Sequence, residues 1–99
     1  MALYHFVEHN AVELANKEIL KDWTRVENFP VDEREHRNFE YHVVKDVAAE
    51  RIMLTIKCFN EDAETVRLDP TVISATADPE NFTDIAERRV RQLYSDGRI

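Results

Sequence analysis

His5, Glu8 and His9 stand in the order H-x-x-E-H within the stretch YHFVEHN, residues 4–10. Two histidines so spaced could hold a zinc ion while the glutamate activates its water, the chemistry of a metal-dependent hydrolase. One ion can take both imidazoles only if they lie one helical turn apart on a single face. Residues 2–9 instead alternate, with Tyr4, Phe6 and Glu8 on one side and Leu3, His5, Val7 and His9 on the other. That period is a strand's. Four strand steps separate the histidines by about 13 Å, against zinc bonds of about 2 Å. They are expected to be polar positions on an edge strand, and no metal or other cofactor is expected.

The remaining reactive side chains point the same way. His36 and His42 lie near Asp32, Glu33 and Glu35, which reads as a charged loop beside a strand. Cys58 shares a strand face with Ile52, Leu54 and Ile56 and reads as a small core residue rather than a nucleophile. Trp23 falls on an apolar helical stripe and is expected in the core. No acid/base pair emerges, so the chain is expected not to be an enzyme.

The basic residues carry more pattern. Lys17, Lys21 and Arg25 recur at i, i+4 and i+8. On a helix they form one line opposite the apolar stripe, where like charges cost a few tenths of a kcal/mol per pair. Arg88 and Arg91 follow Asp84 and Glu87 by four residues, the favourable ion-pair order. Arg89 falls near the apolar edge of its helix and must reach out of it. Two such helices side by side would frame a basic groove for RNA phosphates.

The elements that would position these groups follow from periodicity. Asn10 and Glu13 form a capping-box-like start. A helix is then predicted from Ala11 to Glu27, with Val12, Ala15, Ile19, Trp23 and Val26 as its buried stripe. FEYHVV (39–44) and RIMLTIKCF (51–59) read as an antiparallel hairpin. A last β segment is predicted around Val66–Thr76, disturbed by Pro70. Asp78 and Pro79 start a second helix, faced by Phe82, Ile85, Ala86, Val90 and Leu93 and followed by Gly97. The expected fold is α+β, a β-α-β-β-β-α two-layer sandwich with a mostly antiparallel sheet and both helices on one face.

Bulk composition fits one domain over residues 1–99. The 99 residues carry a net charge of −7, which works against indiscriminate nucleic-acid binding. The first residues lack the pattern of a secretion signal, and no apolar run reaches the roughly 20 residues of a membrane helix. The single cysteine fits a reducing compartment, so a cytoplasmic protein is expected. One glycine in the whole chain excludes glycine-rich phosphate loops.

The element order, with VISATADPENFTDIAERRVRQLY (72–94) as its best stretch, resembles the ribosome hibernation-promoting factors, or ribosome-associated translation inhibitors. FEYHVVKDVAAERIMLTI (39–56) is similar to their central hairpin and VELANKEILKDWTRVENF (12–29) to their first helix. The resemblance implies translation regulation by binding the ribosome or structured RNA, through Lys17, Lys21, Arg25, Arg88, Arg89 and Arg91. The competing expectation is an acidic protein-binding inhibitor or adaptor. It would use Glu61, Asp62, Glu64 and Asp69 toward a basic partner, or pair as a homodimer through the outer sheet face or an edge strand.

Overall fold

The computed structural model describes residues 16–99. Four strands, β1 (Lys17–Pro30), β2 (His36–Asp46), β3 (Arg51–Phe59) and β4 (Thr65–Ile73), are followed by a 3-10 turn (Pro79–Asn81) and one helix, α1 (Phe82–Ser95). The strands form a single antiparallel sheet in chain order. The sandwich of two helices on one sheet face is therefore corrected. Among the described residues α1 is the one α-helix, and the described part of the segment expected as the first helix, from Lys17 to Glu27, lies in the longest strand. The β-segment reading of residues 2–9 and the H-x-x-E-H group lie outside the described residues.

The reason for the correction is local. β1 carries register shifts between Ile19 and Lys21, between Lys21 and Thr24, and between Val26 and Phe29. Each extra residue breaks the strict alternation of a strand. Ile19, Trp23 and Val26 thereby acquire helix-like spacing while lying on different faces. Ile19 pairs with Val44 on the outer side, whereas Val26 pairs with Phe39 on the core side. Asn28 adopts φ 51° at the last bulge, a conformation asparagine tolerates well, and its N–H is received by Asn38 Oδ1 at 2.8 Å.

The hairpin of β2 and β3 forms as the alternation predicts, with Tyr41 opposite Ile56 and Val43 opposite Leu54. Phe39, Tyr41, Val43, Ile52, Leu54, Ile56 and Cys58 turn to one face and are buried. Phe82, Ala86, Val90 and Leu93 of α1 cover them. Burying a large apolar side chain of this kind contributes about 1.5–3 kcal/mol, so this single helix layer carries much of the stability. Asp78 caps the turn before the helix by accepting from Glu80 N–H at 3.0 Å, and Gly97 leaves it at φ 72°. Pro70 does not interrupt β4. It sits opposite Thr55 in β4, which ends the strand order of the described sheet, the place where a sheet tolerates a proline.

Candidate functional site

α1 covers one sheet face; among the described residues no element covers the other. On β4 the usual binary pattern is reversed. Arg67, Asp69 and Thr71 pair with Cys58, Ile56 and Leu54 and so point to the helix side. Leu68 and Val72 pair with Lys57 and Met53 and point outward, where they are 58% and 55% exposed. Val66, beside the register shift, is 52% exposed. A one-residue slip would bury all three. At the opposite edge Ile19 and Trp23 are also exposed. The outer face thus has an apolar row along each margin.

Between the margins lies a stacked centre. The Trp23 and His42 rings lie 4.0 Å apart at 22°, and Lys57 Nζ is 4.1 Å from the Trp23 ring centroid. Burial, and then the Lys57 charge, hold His42 below the ordinary imidazole range, with Asp22 opposing. Arg25 reaches Glu27 at 3.0 Å and Glu40 at 3.4 Å, and its guanidinium stands 5.2 Å from the Phe59 ring centroid. Arg25 and Lys57 stand against Glu27 and Glu40, with Asp22 beside them. Lys17 and Arg51 flank Asp46 on the same face by register, so opposite charges nearly balance there, against a net −7 for the whole chain.

The basic residues expected to line an RNA groove are dispersed. Lys17 pairs with Asp46 and Arg25 with Glu40, both on the outer side, whereas the bulges bring Lys21 opposite Val43 on the core side. On α1, Arg88 bridges Asp84 at 2.9 Å, as the i, i+4 spacing predicts. Arg91 Nε donates to Pro30 O at 3.3 Å, and its guanidinium lies 4.6 Å from the Phe29 ring centroid. Arg89 donates to both Asp69 oxygens, which explains its place at the edge of the apolar stripe.

Other candidate chemistry is accounted for structurally. Cys58 is fully buried, and burial together with Asp69 pushes its thiol up to about 11, away from nucleophile behaviour. Asp32 accepts from the Arg34 and Glu35 N–H groups and shapes the β1–β2 turn, while His42 is turned into the Trp23 stack. Among the described residues no group of three or more His, Cys, Asp or Glu side chains could hold a metal. No described helix is long and apolar enough to cross a membrane. An open cleft of about 460 Å³ lies at the sheet end near Asn28, Arg37, Asn38, Asn60 and Arg98. Its polar groups are largely engaged in turns, with Asn60 Oδ1 receiving Asp62 and Glu64 N–H and Arg37 bound to Glu35.

Trp23, Val66, Leu68 and Val72 are the residues that sequence reasoning placed wrongly or passed over. Alternation along VRLDPTV marks two faces of β4 without saying which is covered. No family model matches the chain, and no curated protein or solved structure matches it.

Proposed function

We propose that this chain is a non-enzymatic protein-binding module of a cytoplasmic kind whose contact surface is the outer face of the sheet. The observation that carries the reading is β4, which turns Leu68 and Val72 to solvent and its polar residues inward. Large apolar side chains exposed side by side along one strand, as Val66, Leu68 and Val72 are, mark an interaction site. Near-neutral charge over that face suits an apolar protein surface rather than a phosphate backbone, which rewards unpaired cations. The RNA reading needed two helices side by side, Ala11–Glu27 with Lys17, Lys21 and Arg25 and a second with Arg88, Arg89 and Arg91. The described part of the first, from Lys17 on, is strand, and the three arginines of the second are engaged with Asp84, Asp69 and Pro30 O.

The test is affinity purification of the tagged full chain from its own cells after chemical cross-linking. Protein contacts should survive nuclease treatment and disappear in the Leu68→Lys/Val72→Lys variant, whose substitutions fall on exposed positions. Nuclease-sensitive co-purification with ribosomes, lost instead in Lys17→Ala/Lys21→Ala/Arg25→Ala, would replace this reading with the RNA one.

A further inference from the structure

The outer face is complementary to itself. Three rows cross it, each read from the strand register. One row runs Ile19, Val44, Met53, Val72; the next runs Trp23, His42, Thr55, Pro70, its first member placed by the ring stack; the third runs Arg25, Glu40, Lys57, Leu68. Consider a second copy laid face to face, related by a two-fold axis that runs along the strands between β2 and β3. That operation exchanges β1 with β4 and β2 with β3. Glu40 of each copy then meets Lys57 of the other, twice. Ile19 meets Val72, Val44 meets Met53, Trp23 meets Pro70, His42 meets Thr55 and Arg25 meets Leu68, again twice each, so that Leu68 lies along the Arg25 side chain. An isologous interface needs a patch that complements itself in this way.

Size and edges agree. Four strands about 4.8 Å apart and nine residues of about 3.3 Å give a projected footprint of about 570 Å². With side-chain relief this approaches the roughly 800 Å² that each partner gives to a standard interface. Edge-to-edge pairing, the other route to a sheet-mediated dimer, is obstructed on both sides. β1 is broken by three register shifts and β4 holds Pro70.

We infer that the partner of the outer sheet face is a second copy of this chain, closing a two-sheet sandwich with Glu40–Lys57 pairs across the two-fold axis. The inference rests on the protein-binding reading of that face and specifies its occupant. Aligned sheets in such a sandwich cross at about 30°, so contacts near the axis are the best defined. Glu40 and Lys57, on the two central strands, are among them.

Sedimentation of the purified full chain should give twice the 11.7 kDa of one copy. Leu68→Lys, at an exposed position, should shift the protein to monomer with unchanged circular dichroism. Glu40→Lys and Lys57→Glu should each weaken dimerisation about tenfold or more. Because Glu40 and Lys57 also face each other within one chain, the discriminating measurement is an equal mixture of the two single variants, which should recover most of the loss as a heterodimer. A wild-type chain that stays monomeric at about 100 μM overturns the inference. So does a dimer indifferent to Leu68→Lys and to both charge reversals. A monomer that still captures another protein through Leu68 and Val72 defeats the self-association alone; capture that requires nucleic acid defeats the protein-binding reading itself.

Discussion

Arg89 grips Asp69 through two parallel bonds, Nε to Oδ2 at 2.8 Å and Nη2 to Oδ1 at 3.0 Å, on a carboxylate only 4% exposed. Thr71 adds a third bond at 3.0 Å. This pair ties the helix to β4 and fixes which face of that strand points inward. With Asp69 held under the helix, Leu68 and Val72 have no choice but to face out.

Asp69→Ala should cost about 2–4 kcal/mol, below the full value of a buried pair because the Arg89 side chain is one-third exposed. Removing Arg89 as well should add little, since the two residues share one interaction. Urea unfolding of the two single variants and the double measures both quantities. Additive losses would show that the pair does not act as a unit.

The same pair makes stability sensitive to acid. Arg89, chiefly through its hydrogen bonds, holds the Asp69 carboxyl below the usual carboxylate range. A carboxylate depressed on folding contributes stability that is complete above its unfolded value of about 3.9 and is lost as pH falls through the lower folded value. Urea midpoints taken through the acid range should fall less steeply in Asp69→Asn than in the wild-type chain.

Cys58 should be silent toward a disulfide reagent at mildly alkaline pH, because its thiol is buried and pushed up to about 11. Labelling should proceed at the rate of global unfolding and accelerate in parallel with denaturant. Fast labelling in native buffer would show that the β3–α1 layer opens readily.

His42 should titrate below about 6.5, the value of a free imidazole. A depressed histidine favours the folded chain above the unfolded value and disfavours it on acidification. Lys57→Met removes the neighbouring positive charge and should move the His42 midpoint upward in NMR titration, with Trp23 fluorescence reporting the same change. An unshifted midpoint would mean that burial alone depresses it.

Leu93→Ala should cost about 2–5 kcal/mol, since the side chain is fully buried against the sheet. Ile19→Ser, on the exposed outer face, should change the stability of the monomer by no more than about 0.5 kcal/mol. Thermal melts of both variants separate the face that holds the fold together from the face that no described element covers.

The sequence by itself determined β3, β2 and the helix, each for a local reason. RIMLTIKCF alternates without interruption, and its β2 partner does so through Phe39, Tyr41 and Val43. Phe82, Ile85, Ala86, Val90 and Leu93 keep helical spacing between an Asp78–Pro79 start and a glycine stop. Only the tertiary structure decided β1 and the orientation of β4. Bulges erase the period of β1, whose strand conformation is held by pairing along β2 rather than by its own pattern. β4 alternates clearly, but alternation is symmetric under a one-residue slip. The choice between burying Leu68 and burying Asp69 was made twenty residues later in the chain, by the guanidinium of Arg89.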